Sequence, residues 1–521
     1  MSRKFNITGT CTPEKHYMVN ISSKLEQIKN LIDDKQYFTI NRGRQYGKTT
    51  TLSRLRRFLA NEYTVISITF QGLGDTSFAT EEAFCQAFIN RIRKNLRFSN
   101  ASKAYQENWN KNVQSIEELS DLITERCLEE KIVLMIDEVD QASNYRVFLS
   151  FLSMLRDKFL LRSDELDATF HSVILAGVYD IKNIKFKMIS DGLIVPKEGE
   201  RKINSPWNIA VPFEVEMSFS IEEISGMLTD YELDHRTGMN ISEVSEEIHS
   251  YTSGYPFLVS RICGYIHEKL EKNWSKVGVL EAVRFITEEP QPNTLFDDLF
   301  KNIRNNEHLS NFLYDILLAG KQFRFAPGVD EMAIGLRYDF IKIVNGQVRI
   351  HNKVFEIVMT NYFIESERIA GEKTINNEIE PDVVNDNKFN IELFFEKFNA
   401  HYQQRYAHKD IDFLEREAAF LFLFFLQPYL NGNGFYFLQA EPSAGKRMDV
   451  VIVYGNEEFI VELKVWRGQK RHADGQKQLL GYMEKRRADK GYLLTFDFRK
   501  KREQKYEWIE IDGKSLLEVQ V

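Results

Sequence analysis

The chain has 521 residues, of which 43% are hydrophobic and 28% charged, with 39 Phe and 11 Pro. At roughly 150 residues per domain, this length predicts about three or four domains and excludes a single small binding module. The apolar content excludes a disordered or fibrous chain. The net charge of −8, from 68 basic and 76 acidic residues, gives no overall indication of a nucleic acid partner.

Three features bear on the cellular compartment. The longest apolar run, from Ala418 to Leu426, is shorter than the roughly 20 residues that cross a bilayer, so we expect a buried helix and no membrane partner. The basic N-terminus precedes no apolar segment, which argues against a secretory signal. Four cysteines stand singly, which argues against a zinc site and favours a reducing compartment: Cys11, Cys85, Cys127 and Cys263. We therefore expect a cytoplasmic protein.

The first part of the chain alternates short β-branched runs with longer amphipathic segments. This alternation predicts a parallel sheet covered by helices, with strands at Tyr37–Ile40, Thr64–Ile68, Ile132–Ile136 and Ser172–Leu175. Residues 221–288 are predicted to be entirely helical. A helix near 311–318 and an Asn345-Gly346 hairpin between alternating apolar residues then suggest a winged helix.

The rest of the chain is predicted to form a separate domain. The segment from Glu365 to Asn387 is rich in Glu, Asn and Lys and is interpreted as a linker. Beyond it, a helix from Ile411 to Leu430 and several strands predict an α/β domain.

The first chemical motif follows the strand that begins at Tyr37. A loop leads into Gly47-Lys48-Thr49-Thr50, where backbone N–H groups can surround phosphates at the positive end of a helix. We expect Lys48 to reach the β- and γ-phosphates and Thr49 to place its hydroxyl on Mg²⁺. The match is partial, because Arg42 stands where the usual first glycine would be.

An acidic pair supports the same site. The buried strand from Ile132 ends in Asp137 and Glu138, which we expect to hold Mg²⁺ through water and to polarise the attacking water, respectively. An apolar strand that ends in solvated acids is the alternative. No Asn-Lys-x-Asp guanine signature follows, so ATP is preferred to GTP. The strand that ends near Tyr179 and Asp180 either carries a γ-phosphate sensor or is a plain core strand.

This half of the sequence resembles the AAA-like ATPases close to the archaeal ATPase and STAND group. Their Arg-rich loop before Gly-Lys-Thr matches Arg42, Arg44 and Tyr46, and their acidic pair matches the strand-end acids. Their Gly-x-Pro element matches Gly254-Tyr255-Pro256. The resemblance covers roughly residues 1–365 and implies nucleotide contacts that include Arg44 and Tyr46. No arginine finger is assigned, so formation of a homo-oligomer stays undecided.

The second chemical motif is a predicted hairpin with a two-residue Gly455-Asn456 turn. In that register, opposed residues have numbers that sum to 911, so Asp449 faces Glu462 with Cβ atoms roughly 5 Å apart. Two opposed carboxylates indicate a divalent cation such as Mg²⁺, with the Leu463 carbonyl as a further ligand. Lys464 lies on the face of Glu462 and can orient a water. A polar, solvated hairpin face is the alternative.

These residues resemble the PD-(D/E)XK nuclease superfamily over about residues 390–521, although Met448 stands where the name-giving proline often sits. The resemblance implies a further acid on the preceding helix, for which Glu417 is preferred and Glu415 is the alternative. It also implies a Gln and a Tyr on the following helix, matched by Gln478 and Tyr482, although an ordinary helix surface pair is equally compatible. The cofactors implied by both halves are ATP and Mg²⁺, with Mn²⁺ as a substitute.

The segment from Lys464 to Lys505 is the most basic part of the chain. Fourteen Lys and Arg against five Asp and Glu give a local net charge of +9, which suits a phosphate backbone or a solvated basic face. We therefore expect a nucleic acid partner, preferentially DNA, at this domain. The leading hypothesis is an ATP-gated nuclease with a role in defence or mobile-element biology. The alternative is a nucleotide-switched signalling or DNA-binding protein that does not cleave.

Together these patterns predict an α/β fold: a P-loop parallel sheet with a helical lid and a winged-helix-like domain, followed by a restriction-endonuclease-like α/β domain. The predicted boundaries are 1–219 for the ATPase core, 220–290 for the lid, 291–364 for the winged helix, 365–388 for the linker and 389–521 for the nuclease-like domain.

Overall fold

The computed structural model describes most of the chain, in the following segments: residues 3–98, 107–178, 206–288, 294–319, 321–370, 382–385, 388–405, 411–430, 434–439, 448–455, 457–466, 468–497 and 505–521. The chain forms two compact units. The first contains Met1–Ser245, Gly254–Gly264 and Arg337–Asp339. The second contains Glu246–Ser253, Tyr265–Leu336 and Phe340–Val521.

The first unit is built on a four-stranded parallel sheet, as the sequence predicts. Its strands lie in the order β1-β4-β3-β2, with these bounds: β1 Tyr37–Asn41, β2 Thr64–Thr69, β3 Ile132–Asp137 and β4 Ser172–Gly177. Strands β3 and β4 are buried along their whole length. Burial on both faces explains why they have continuous apolar runs instead of an alternating pattern.

Helices precede, connect and follow these strands, and their bounds are α1 Ser22–Asp33, α2 Lys48–Leu59, α3 Glu81–Leu96, α4 Ile116–Glu129, α5 Arg146–Ser163 and α6 Ile221–His235. The start of α6 is fixed by a capping box, in which the Ser220 side chain accepts from the Glu223 N–H and the Glu223 side chain accepts from the Ser220 N–H. Helices α7 Ile241–Thr252 and α8 Pro256–Lys269 each have residues in both units.

The second unit begins with a helical part, and the stretch 221–288 that was predicted to be helical runs from α6 of the first unit into this part. Its helices are α9 Lys276–Glu288, α10 Thr294–Asn305, α11 Glu307–Leu317, α12 Asp330–Arg337 and α13 Lys353–Ala370. Between α12 and α13 lies the hairpin of β5 Ile341–Val344 and β6 Gln347–Ile350. Its turn residues Asn345 and Gly346 both have positive φ, which is why Asn-Gly favours this tight turn. Three helices before a hairpin fit a winged helix, and that domain assignment stays a prediction.

The linker prediction for residues 365–387 is wrong in part. Helix α13 continues to Ala370, and Arg368 pairs with Glu365 one turn earlier. Glu and Lys are polar but are also good helix formers, so a polar composition did not distinguish a linker from an exposed helix. A short hairpin of β7 Val384–Asn385 and β8 Lys388–Phe389 then follows.

The remainder of the second unit is a six-stranded mixed sheet in the order β13-β14-β12-β11-β10-β9. Its elements are α14 Ile391–Arg405, α15 Ile411–Leu430, β9 Gly434–Gln439, β10 Met448–Tyr454, β11 Glu457–Val465, α16 Gln469–Arg486, β12 Lys490–Phe496, β13 Lys505–Ile511 and β14 Lys514–Gln520. Strands β11, β12 and β14 are parallel neighbours.

Aromatic side chains form much of the core beside this sheet. Phe394 and Phe398 of α14 contact Phe422 and Phe425 of α15, with ring centroids 5.4–5.7 Å apart. Residues 418–426 of α15 are nearly all buried, so the longest apolar run is a core helix, as predicted. Among the described helices, none combines the length and the apolar character that a membrane span requires.

Candidate functional site

The predicted phosphate loop joins the end of β1 to the start of α2. Gly47 precedes the helix with φ +81°, a left-handed conformation that favours glycine. The side chain of Lys48 is only 7% exposed, and its Nζ donates hydrogen bonds of 2.8 Å to the carbonyl oxygens of Arg42 and Gly43. The ammonium of the lysine is therefore held against the backbone of the loop.

The magnesium ligands expected from the sequence lie together. Thr49 Oγ1 donates to Asp137 Oδ2 over 2.7 Å, because the start of α2 and the end of β3 meet at one edge of the sheet. The Glu138 N–H donates to the other Asp137 oxygen over 3.0 Å. A hydroxyl and a carboxylate are hard oxygen donors, so this pair fits Mg²⁺.

The electrostatics of the loop are dominated by burial. Burial raises the pKa of Glu138, and the neighbouring Asp137 raises it further while Lys48 opposes both. Burial lowers the pKa of Lys48, and the carboxylates of Glu138, Asp140 and Asp137 oppose that effect. A carboxyl group with a raised pKa beside the phosphate lysine has the character of a general base.

Arg44, Tyr46 and Thr50 were predicted to contact nucleotide, and the structure gives each a contact within the protein. The Tyr46 hydroxyl bonds Ser218 Oγ over 2.6 Å, and the ring lies 4.6 Å from that of Tyr255. The Arg44 carbonyl accepts from the Tyr255 hydroxyl over 2.5 Å. Thr50 Oγ1 accepts from the Cys11 N–H over 3.3 Å. Their nucleotide contacts stay predictions.

The Gly-x-Pro element lies against this loop. Gly254 has φ +72°, and a Cβ there would lie 2.0 Å from the carbonyl oxygen of Phe219. Only glycine allows this close approach, which also lets Gly254 O accept from the Phe219 N–H over 2.8 Å. The next residue is Tyr255, so the backbone at Gly254 positions the ring that contacts the phosphate loop.

One acid of the nucleotide site was missed from the sequence. Asp140 follows the acidic pair, and its Oδ2 accepts from the Val178 N–H over 2.7 Å at the end of β4. A Cβ at Gly177 would lie 2.9 Å from Asp140 Oδ1, so glycine makes room for it. The Asp-Glu-x-Asp spacing in the sequence could have identified Asp140 as part of the site. The sensor candidates Tyr179 and Asp180 lie outside the described residues.

The second site begins with the predicted hairpin. Strands β10 and β11 pair in antiparallel register with Asp449 opposite Glu462 and Tyr454 opposite Glu457. Gly455 has φ +57°, as a tight turn requires. The predicted register is therefore confirmed. The side chains of Asp449, Glu415 and Glu417 lie outside the described residues.

Glu462, Lys464 and Gln478 come together on one sheet face. Glu462 is 1% exposed and forms an ion pair with the Lys464 ammonium. Lys464 Nζ also donates to Gln478 Oε1 of α16 over 3.0 Å. A Cβ at Gly475 would lie 3.1 Å from Lys464 Cε, so a glycine on α16 lets the helix pack closely over the lysine. Leu463 is buried, as expected for the opposite sheet face.

Glu462 also fits a cation. Its Oε1 atom accepts no well-formed hydrogen bond from the described residues, although the Lys464 ammonium lies against it as an ion partner. A buried carboxylate oxygen with unused acceptor capacity suits a divalent ion. Among the side chains that the structure describes, no group of three or more His, Cys, Asp or Glu is arranged to hold a metal.

A second polar cluster on this sheet was missed. In register, Glu462 lies beside Leu493 and Leu493 beside Glu518, so the two glutamates share a row across the sheet. Burial acts to raise the pKa of Glu518, but hydrogen bonds from His472, Lys505 and Gln476 outweigh it and lower this pKa to about 2. The cluster depends on strand order, which short-range patterns do not reveal.

Several cations of the basic segment are engaged in contacts within the protein, so fewer of them are available for nucleic acid than the composition suggests. Arg486 lies 3.3 Å from a carboxylate oxygen of Glu458 and stacks over the Phe437 ring. Lys505 forms ion pairs with Glu507 and Glu518. Arg486 thus makes internal contacts. Three described cations of the segment are exposed, namely Lys477, Arg487 and Lys490, and the last of these lies over the Trp508 ring.

This chain is similar to one family model and to solved structures of two archaeal proteins. Residues 12–178 match the family model of the AAA-like domain. No curated protein matches the chain. Among solved structures, the Walker-type ATPase PABY2304 of Pyrococcus abyssi is similar with TM-score 0.46 and 15% identity, covering 68% of this chain and 99% of that one. The Aeropyrum pernix ORC2 protein, solved as ADPNP and ADP complexes, gives TM-score 0.38 and 12% identity over 70% and 97%.

The matched residues include the loop before Lys48, the acidic pair after β3 and the end of β4. The sheet order, the loop and the strand-end acids described above agree with that assignment. Residues 12–178 therefore match the AAA-like domain and contain the elements of a P-loop ATPase.

Proposed function

We propose that this protein binds and hydrolyses ATP, and that its nucleotide state controls a Mg²⁺-dependent phosphodiesterase that cuts nucleic acid, preferentially DNA. The observation that carries the nuclease part is the register that places Asp449 opposite Glu462, with Lys464 bound to Gln478 beside them. A role in defence or mobile-element biology follows only from the resemblance of the whole arrangement.

The nucleotide chemistry rests on residues that the fold holds in place. Lys48 neutralises charge on the phosphates, and its burial strengthens this interaction because water screens it less. Thr49 and Asp137 would hold Mg²⁺, directly and through water. Glu138, whose pKa is raised, accepts a proton from the attacking water.

The proposed nuclease chemistry uses the hairpin. Asp449, Glu462 and the Leu463 carbonyl would hold Mg²⁺, which when bound stabilises charge on a scissile phosphate. Lys464 orients and activates the attacking water, and Gln478 fixes the position of the ammonium. Glu417 on α15 is the preferred source of a further acid. The exposed cations Lys477 and Arg487 would contact the phosphate backbone.

The path of the chain supports control of the proposed nuclease site by the nucleotide state of the first unit. The first unit contains Gly254–Gly264 and Arg337–Asp339, whereas the residues before and after each of these segments belong to the second unit. A nucleotide-dependent movement in the first unit is therefore transmitted through covalent connections at several points. This coupling distinguishes the proposal from two independent enzymes on one chain.

The test is a cleavage assay with plasmid, linear duplex, single-stranded DNA and RNA, with and without ATP and with Mg²⁺ or Mn²⁺. We expect metal-dependent cleavage that changes with nucleotide and disappears in Lys464→Ala. Glu484→Gln, at an exposed position of α16, is the matched control and should cleave normally. Lys48→Ala should abolish tight ATP binding in calorimetry, whereas the exposed control Lys94→Ala should bind normally.

The second candidate is a nucleotide-switched protein whose C-terminal domain binds DNA without cutting it. The exposed cations Lys477 and Arg487 would serve this function as well as they would serve a nuclease. DNA binding without cleavage under any nucleotide and metal condition would favour it. A DNA-reading winged helix receives less support, because Lys342 of its hairpin donates to Ser253 Oγ within the protein over 2.9 Å.

A further inference from the structure

Gly43 of the phosphate loop is held from both sides of its peptide backbone. Its carbonyl oxygen accepts from Lys48 Nζ over 2.8 Å, and its N–H donates to the carboxylate of Asp339. Asp339 is 296 residues away in sequence and follows the end of α12. The same loop residue therefore links the phosphate lysine to a carboxylate from a distant part of the chain.

The approach of this segment is unusually close. A Cβ at Gly43 would lie 2.8 Å from the Tyr338 carbonyl oxygen and 2.9 Å from Asp339 Oδ2, so only glycine fits. Asp339 has φ +55°, a left-handed conformation that Asp tolerates better than most side chains. Arg337–Asp339 belongs to the first unit although the chain on both sides belongs to the second. These three residues are thus part of the nucleotide-binding unit.

The Asp339 carboxylate lies in a mixed electrostatic environment. Burial raises its pKa to about 6, while the Gly43 N–H, Arg42 and Lys48 act to lower it and Glu216 acts to raise it. Above that pH the carboxylate is negative and interacts with the same ammonium that a terminal phosphate would use. A further phosphate would bring additional negative charge near this carboxylate.

We propose that Asp339 is a nucleotide-discriminating residue that disfavours a triphosphate relative to a diphosphate on the phosphate loop. The diphosphate leaves the Gly43–Asp339 hydrogen bond in place, because it brings less negative charge to the Lys48 ammonium. The triphosphate competes with Asp339 for that ammonium and weakens the hydrogen bond. Since only Phe340 separates Asp339 from β5, release of this contact frees the start of the hairpin. The inference rests on the proposed binding of ATP at this loop.

The first test is calorimetry with ADP and with a non-hydrolysable ATP analogue at pH 8, where Asp339 is ionised. Asp339→Asn keeps the size and an acceptor oxygen but removes the charge. We expect the affinity for the triphosphate, relative to that for ADP, to rise about tenfold, which corresponds to roughly 1.4 kcal/mol. Asp330→Asn, at an exposed position of α12, should leave the ratio unchanged.

The second test uses the unaltered protein, so it does not depend on the folding of a variant. Hydrogen exchange of residues 337–343 and of the Gly43 amide should be faster with the triphosphate analogue than with ADP. Equal exchange, or an unchanged affinity ratio in Asp339→Asn, would overturn the inference. Failure of both nucleotides to bind the unaltered protein would instead refute the proposed ATP site.

Discussion

Lys464 Nζ lies 3.0 Å from Gln478 Oε1, and this hydrogen bond joins strand β11 to helix α16. The same ammonium forms an ion pair with the buried Glu462. One hydrogen-bond acceptor and one ion-pair partner therefore fix the direction of a flexible side chain that is proposed to orient the attacking water. The amide oxygen adds a hydrogen bond without adding a charge that would compete with a cation.

Gln478→Ala should lower the rate of metal-dependent cleavage about tenfold, because a hydrogen bond to a charged group contributes roughly 1.5 kcal/mol or more. The affinity for Mg²⁺ should be unchanged, since Gln478 is not a ligand. Lys477→Ala alters the neighbouring exposed residue and should leave the rate of the chemical step normal at saturating DNA. Single-turnover kinetics and metal titration measure the two effects. A lower metal affinity with a normal single-turnover rate would contradict the positioning role.

Glu138→Gln should bind ATP but hydrolyse it roughly 10²–10⁴ times more slowly, because only proton abstraction is lost. In the unaltered protein, turnover should fall as the pH falls toward the raised pKa of Glu138, since the base must be ionised. The variant should lack this limb of the pH profile. Glu82→Gln, on the exposed start of α3, is the control. Unaltered turnover in Glu138→Gln would remove this residue from the role of base.

The sequence predicted contacts that local geometry determines. The turn at Gly455 alone fixed the register of Asp449 and Glu462, because opposed residues in a hairpin follow from the turn length. The contact of Gly43 with Asp339 was not predictable in this way, since it joins residues that only the tertiary fold brings together. Glu518 was missed because β12 lies between its strand and β11 in the sheet.

The basic segment should contribute to nucleic acid affinity through its exposed cations. Charge reversal at Lys477 and Arg487 should weaken binding similarly for all sequences and reduce the salt slope by about one unit per lost phosphate contact. Fluorescence anisotropy at several salt concentrations measures both quantities. Charge reversal at Arg486 is unsuitable as a test, because it would break the internal pair with Glu458. Unchanged affinity and slope would identify the segment as a solvated face.

Gly254→Ala should lower the free energy of unfolding by more than about 2 kcal/mol, since it combines positive φ with a Cβ that displaces the Phe219 backbone. Gly226→Ala is the matched control at an exposed position of helix α6, where a Cβ meets no atom within 4 Å. That variant should be more stable by about 0.5–1 kcal/mol. Urea titration of both variants provides the comparison. Equal stability would mean that Gly254 does not need its close approach to Phe219.

Asp449→Asn should abolish metal-dependent cleavage while leaving the stability of the metal-free protein unchanged or higher. The backbone register places this residue opposite the buried Glu462, and neutralising one of two opposed carboxylates removes repulsion. Lys464→Ala should also stop cleavage but keep metal binding, since the ammonium is not a ligand. Thermal unfolding in EDTA, metal titration and cleavage separate these effects. If Asp449→Asn strongly destabilised the metal-free protein, the carboxylate would have a structural role. Cleavage at the unaltered rate would exclude Asp449 from the metal site.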